Sequence, residues 1–124
     1  MEECEYTFKY KFIETKAFNK DYGKISESER ERLYFDLIVG RGEIIKGTGA
    51  LKKVRCGTAG DDSKEGCEVV FADYTFPDVG VRIYLLLVKF FLNAIRDLSQ
   101  EQKNSLRKLK EKADYYVGCY YENL

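Results

Sequence analysis

Two apolar segments separated by a four-residue turn most constrain how this 124-residue chain folds. Residues 67–76 are rich in β-branched and aromatic side chains, and residues 81–88 form the most apolar stretch of the sequence. Between them lies Pro77-Asp-Val-Gly80, whose composition is typical of turns. Because strands joined by so short a loop pair in the antiparallel direction, the sequence predicts a β-hairpin here.

Two further strands are predicted from shorter patterns. Aromatic residues alternate with polar ones over residues 5–13, which indicates a half-buried strand. Residues 51–56 are expected to form another strand, and the glycine-rich residues 41–49 are expected to be a connection. The predicted sheet therefore has about four strands.

The helices are predicted from their starting signals. Residues 15–24 have weak helical character, and Ser26 with Glu29 forms a capping box at the start of a second helix that ends at Gly40. A second capping box, Ser99 with Gln102, begins a C-terminal helix. Residues 115–124 contain four tyrosines, and either extend this helix or pack as a tail.

The order of these elements is strand, two helices, three strands and a helix. It predicts one α+β domain over residues 1–124, a small antiparallel sheet with two N-terminal helices and one C-terminal helix. We expect the helices to cover one face of the sheet.

Composition excludes several classes of site. The chain contains no histidine, which excludes histidine-based triads and histidine metal ligands. The four cysteines form no C-x-x-C pair, so no zinc site is expected. Cys56 and Cys67 are interpreted as buried reduced thiols, although a bridge between them across neighbouring strands is conceivable. The N-terminus is acidic and lacks the pattern of a signal peptide, which favours a cytoplasmic location without a membrane partner.

A local excess of positive charge lies on the third predicted strand. Residues 41–60 contain five basic side chains and one acidic one, although the whole chain has a formal net charge of zero. Alternation along the strand places Lys53 and Arg55 on one face and Lys52 on the other. Two neighbouring cations suit a phosphate group. A solvated strand face is the alternative interpretation.

Four segments in order resemble a known family. Lys46-Gly-Thr-Gly-Ala-Leu-Lys-Lys-Val-Arg55 resembles the G-T-G-G-L-R-K-x-R segment of HigB-like members of the RelE/ParE toxin superfamily. Residues 66–71, 81–88 and 90–103 resemble, respectively, that family's G-x-R-V-I-Y strand, its I-Y-L-L strand and the stretch that leads into its last helix. The resemblance covers roughly residues 44–110.

The resemblance implies a RelE-like fold and a function. Such proteins are toxins of bacterial type II toxin–antitoxin pairs; they cleave mRNA, often on the ribosome, and are neutralised by a small antitoxin that frequently has a helix-turn-helix domain. Cleavage requires no cofactor or metal, because the RNA 2′-hydroxyl attacks the adjacent phosphate and the protein stabilises the charge. Carried over by position, the resemblance assigns the scissile phosphate to Lys53 and Arg55. It assigns RNA-binding roles to Lys52, Lys64, Tyr84 and Asn93, with a core role as the alternative for Tyr84. Lys89 and Arg96 match no basic position of the family, but they lie near two positions where it has lysines. We therefore expect Lys89 to act in catalysis and Arg96 to bind RNA in their place.

Three positions depart from the family pattern. Glu68 stands where the family usually has arginine, and Leu92 and Ile95 stand where it has lysines. Fewer cations weaken the attraction of RNA phosphates. Two alternatives to an mRNA endoribonuclease therefore stay open: a weakened or inactive RelE-fold protein that binds an antitoxin, and a ParE-like inhibitor of DNA gyrase.

Overall fold

The computed structural model describes residues 8–20, 25–57, 66–91 and 95–123, which form a five-stranded sheet and three α-helices. In chain order the elements are β1 Lys9–Glu14, α1 Lys16–Lys20, α2 Glu27–Ile38, β2 Glu43–Ile44, β3 Lys52–Cys56, β4 Cys67–Phe76, β5 Val81–Phe91 and α3 Gln100–Glu122. A 3-10 turn, Ile95–Asp97, precedes α3. The α+β class expected from the sequence is confirmed.

The β4–β5 hairpin is present as predicted and forms the centre of the sheet. Its antiparallel register runs from Cys67 opposite Phe91 to Phe76 opposite Val81, with one β-bulge beside Val70 and Phe71. Residues 77–80 form the turn. The longest strands are therefore those whose pairing partners are close in sequence.

The sheet order β1-β5-β4-β3-β2 corrects two details of the predicted sheet. The short strand β2 lies within residues 41–49, where we expected a connection, and pairs with Lys52 and Lys53. Two residues are too few to show an alternation. The sheet is also mixed, because β1 pairs with β5 in the parallel direction. The chain between β1 and β5 contains α1, α2 and three strands, and so long a connection permits the parallel direction, which a short hairpin turn forbids.

The helices cover both faces of the sheet, so the expectation of a single covered face is wrong. Helices α1 and α2 pack on one face, called here the α2 face, whose buried strand residues are Val54, Cys56, Cys67, Val69, Phe71, Tyr84 and Leu86. Helix α3 packs on the opposite face, the α3 face, which includes Val70, Ala72, Ile83, Leu85 and Leu87. Consecutive apolar residues in β4 and β5 supply both faces, as in strands buried on two sides.

Both predicted capping boxes are present. The backbone N–H of Glu29 donates to Ser26 Oγ at 3.1 Å, and that of Gln102 donates to Ser99 Oγ at 3.1 Å. Helix α3 extends through Glu122, so the tyrosine-rich segment is helical up to that residue. Tyr121 also stacks on Phe76 of β4, with ring centroids 4.2 Å apart.

The Gly-Thr-Gly-Ala segment joins β2 to β3 and contacts α3. Thr48 is fully buried, and its hydroxyl donates to the Ile45 carbonyl at 2.6 Å. Gly47 and Gly49 have φ values of +82° and +77°, and a Cβ atom on either would contact a lysine side chain of α3. We infer that the segment has a structural role, because it lets α3 pack closely against the connection between β2 and β3.

Ala50→Gly is expected to stabilise the protein by about 1 kcal/mol, roughly 4 °C in Tm. Ala50 is a non-glycine residue with φ +81°, a left-handed conformation that glycine adopts without steric strain. The family segment that it resembles has glycine here. Thermal unfolding followed by circular dichroism measures the change, and Ala113→Gly in the interior of α3 is the control, expected to lower Tm. A lower Tm for Ala50→Gly would contradict the argument.

Candidate nucleic-acid interface

Strand β3 brings Lys53 and Arg55 to the same face of the sheet. Lys53 lies opposite Val70, a residue of the α3 face, and Arg55 lies opposite Glu68. Between them, Val54 is buried on the α2 face. The Lys53 side chain is 24% exposed and Arg55 is exposed. The two cations are therefore neighbours, as the alternation predicts.

Carboxylates of the protein itself approach Lys53. Its Nζ lies 3.7 Å from Glu68 Oε2 and 4.0 Å from Glu43 Oε1. The Glu68 side chain is only 15% exposed, and its Oε1 has no hydrogen-bond partner among the described residues. Glu68 thus offsets part of the positive charge that the sequence assigns to this site, which agrees with its position as a departure from the family pattern.

A cleft of about 310 Å³ contains both cations. Its lining includes three basic side chains and three acidic ones: Arg41, Lys53, Arg55, Asp36, Glu43 and Glu68. Arg41 Nη1 lies 3.6 Å from Asp36 Oδ1. Among the described residues, the Arg55 guanidinium makes no ion pair within 4.0 Å. Arg55 is therefore the cation of the cleft most available to an incoming anion.

Three of the six charged cleft residues, Asp36, Arg41 and Glu43, were not predicted from the sequence to belong to the site. Asp36 belongs to α2, while Arg41 and Glu43 lie in and beside the short strand β2. Gly42, between Arg41 and Glu43, allows the backbone to lie close to the Phe71 ring, because a Cβ atom at its position would be 2.8 Å from that ring. The sequence signal for them is limited to the charge balance of residues 41–60, in which Arg41 and Glu43 are both counted.

Lys52 lies on the opposite side of the sheet from Lys53. Its Nζ is 3.0 Å from Asp73 Oδ2, in a partly buried ion pair. Lys52 therefore does not extend the cleft, and its assignment to RNA binding has no geometric support from the described residues.

Lys89, like Lys52, lies on the α2 face, so the sheet separates it from Lys53 and Arg55. It lies opposite Val69, is 6% exposed, and its Nζ is 4.7 Å from the centroid of the Phe18 ring. The bulge in the β4–β5 ladder explains why the Lys89 side chain lies on this face. Val70 pairs with Val88 but Phe71 pairs with Leu86, so the alternation of β5 changes face at this point. The predicted catalytic trio is thus not assembled.

Tyr84 is part of the core. It is 2% exposed and stacks with Phe12 at a centroid distance of 5.2 Å. Burial raises the pKa of its hydroxyl, which has no hydrogen-bond partner among the described residues. Base stacking on Tyr84 would require the core to open.

Arg96 is exposed in the 3-10 turn, whereas Ile95 beside it is buried in the core.

Three sequence positions discussed above, Lys64, Leu92 and Asn93, lie outside the described residues. The described part of the chain has no group of three or more Cys, Asp and Glu side chains that could hold a metal ion. Within that part, no helix combines the length and apolar composition needed to cross a bilayer.

Comparison with models of known protein families finds none that matches this chain.

Proposed function

We propose that this chain is the toxin component of a type II toxin–antitoxin system and cleaves mRNA, with Lys53 and Arg55 binding the scissile phosphate. The observation that supports the proposal is the pair of cations on one face of β3, lining a cleft. The pair belongs to the segment that resembles the HigB-like toxins. Its partners would then be a cognate antitoxin and ribosome-bound mRNA, both in the cytoplasm.

The proposed reaction uses the RNA's own 2′-hydroxyl as nucleophile. The 2′-oxygen loses its proton as it bonds to the neighbouring phosphorus, the bond from phosphorus to the 5′-oxygen breaks, and the leaving 5′-oxygen takes up a proton; the products are a 2′,3′-cyclic phosphate and a 5′-hydroxyl. The phosphorane between these stages carries additional negative charge on its non-bridging oxygens. A guanidinium such as that of Arg55 donates two parallel hydrogen bonds to these oxygens, and the Lys53 ammonium adds a point charge. Such a mechanism needs no metal ion or histidine.

A second function, antitoxin binding without cleavage, is favoured by the contact of Lys53 with Glu68. That carboxylate reduces the charge available to a phosphate, and the cleft holds equal numbers of acidic and basic side chains. A protein partner with side chains of both signs would complement such a cleft. The two proposals therefore differ in whether RNA displaces Glu68 from Lys53.

Controlled expression in bacteria tests the proposed function. Growth arrest accompanied by new mRNA 5′ ends, both suppressed by co-expression of the cognate antitoxin, is the expected result. Growth arrest with gyrase-linked DNA damage and intact transcripts would instead support gyrase inhibition. A harmless protein that still captures an antitoxin would support the second function and contradict the first.

Glu68→Gln is expected to tighten RNA binding at low salt by about 1 kcal/mol, roughly fivefold in Kd. The substitution keeps the shape of the side chain and removes the charge 3.7 Å from Lys53. Fluorescence anisotropy with 2′-O-methyl RNA, which lacks the attacking hydroxyl, measures binding without cleavage. Glu43→Gln is the matched control with a smaller expected change, because Glu43 is 81% exposed and water screens its charge. Unchanged or weaker binding by Glu68→Gln would show that Glu68 does not oppose RNA.

A further inference from the structure

Strands β3 and β4 place Cys56 and Cys67 directly opposite each other. They form the last pair of the β3–β4 register, and both are buried free thiols on the α2 face. Opposed residues in antiparallel strands have Cα atoms about 4.5 or 5.5 Å apart, depending on the hydrogen-bonding position. Both separations fall within the range of about 4.4–6.8 Å that a disulfide requires. The backbone thus brings the cysteines within bridging distance.

Two glycines allow the strands to stay close immediately beyond the cysteines. A Cβ atom on Gly66 would lie 2.6 Å from the Cys56 carbonyl oxygen, nearer than side chains approach backbone atoms. Gly57 has φ +104°, and its Cβ position would be 3.1 Å from the Gly66 Cα. A side chain at either position would push the strand ends apart. The glycines therefore maintain the juxtaposition of the thiols.

The surroundings favour ionisation of one thiol of the pair. The Cys56 S–H donates to the Cys67 sulfur, and this hydrogen bond together with the Lys89 ammonium lowers the pKa of Cys67. Burial and the carboxylates of Glu29 and Glu68 oppose the shift. The pKa of Cys56 is raised, because it donates that hydrogen bond and is buried. Cys67 is on β4, next to the strand β5 that carries Lys89, whereas Cys56 is one strand further away on β3. We therefore expect Cys67 to become a thiolate first, and thiolates are the nucleophilic form.

We propose that Cys56 and Cys67 are a redox modification site at which a peroxide forms a cross-strand disulfide. The Cys67 thiolate attacks a peroxide oxygen, the O–O bond breaks, and the leaving hydroxide takes a proton, which gives Cys67 sulfenic acid and water. The Cys56 sulfur then attacks Cys67, the S–S bond forms, the S–O bond breaks, and a second water leaves with the Cys56 proton. The two thiols lose two electrons and hydrogen peroxide is reduced to two waters.

The disulfide would join β3 and β4 one residue from the cleft. Arg55 precedes Cys56, Glu68 follows Cys67, and these two cleft residues are the neighbouring pair in the register. Oxidation therefore ties together the strands that carry them. The chemistry of the cysteine pair does not depend on the proposed activity toward RNA.

Mass spectrometry of the folded full-length chain tests the proposal. In a Cys4→Ser, Cys119→Ser background, the folded chain is treated with hydrogen peroxide, its remaining thiols are alkylated, and the protein is digested. A linked Cys56–Cys67 peptide, lighter by two hydrogen atoms and restored by dithiothreitol, is the expected product. Both cysteines alkylated after treatment, sulfinic acid in place of the link, or a link formed in urea but not in the folded chain would overturn the proposal.

Single substitutions in the same background identify the attacking sulfur. With Cys56→Ser, Cys67 should stop at sulfenic acid and be captured by dimedone at least about tenfold more than Cys56 in the Cys67→Ser variant. Circular dichroism checks that each variant is folded. Equal or reversed capture would overturn the role given to Cys67, while the linked peptide in the unsubstituted pair still tests the disulfide itself.

Discussion

The Lys53→Ala, Arg55→Ala double variant is expected to lose growth arrest and mRNA cleavage while remaining folded. Removing one donor from a developing oxyanion typically reduces the rate by roughly 10²-fold, so two independent losses give about 10⁴-fold. Arg55 is exposed and Lys53 is partly exposed on the strand, which limits the expected effect on stability to about 1 kcal/mol. Cleavage of a defined transcript in a ribosome-containing extract measures the rate, and thermal unfolding reports the fold.

Lys52→Ala is the matched control for the double variant. Lys52 is on the same strand and has the same charge as Lys53, but it faces the opposite side and pairs with Asp73 at 3.0 Å. Cleavage by Lys52→Ala should stay within about twofold of the unsubstituted protein, since Lys52 lies outside the cleft. A double variant that is folded and still cuts RNA at the original rate would place the site elsewhere on the molecule.

Phe18→Ala is expected to destabilise the protein by about 3–5 kcal/mol. Phe18 is fully buried in α1 and packs in the core of the α2 face. Its ring also faces the ammonium of the buried Lys89, so its removal leaves a cavity and takes away a cation–π partner. Urea unfolding measures the change in the free energy of unfolding.

Phe35→Ala on α2 is the control for this prediction. Phe35 is the same residue type but is 60% exposed, so its loss should change the free energy of unfolding by no more than about 0.5 kcal/mol. A cost for Phe18→Ala as small as that of Phe35→Ala would mean that α1 does not hold the core as the contacts indicate.

The parts of the fold that sequence reasoning predicted are those with local signals. The β4–β5 hairpin follows from a four-residue turn, and each capping box follows from two side chains three residues apart. The parallel partner of β1 and the division of helices between two faces depend on contacts distant in sequence, for which periodicity gives no direct evidence. Short elements such as β2 carry too few residues to show a pattern.

The candidate site shows the same difference between local and distant information. Alternation placed Lys53 and Arg55 on one face because β3 is regular between them. It could not place Lys89, because a bulge of one residue reverses the faces of β5 after Leu87. Asp36 reaches the cleft from α2, a contact that depends on how the helix packs on the sheet.

The pairing of the first strand with the last has a consequence for synthesis on the ribosome. Thr15, directly after β1, donates a hydrogen bond to the Leu87 carbonyl, which lies 72 residues further along the chain. While the nascent chain lengthens, β1 can contact α2 but has no strand to pair with until β5 has been made. Contacts of such long range make folding slower than local ones do. The complete five-stranded sheet consequently forms only after β5 has been made.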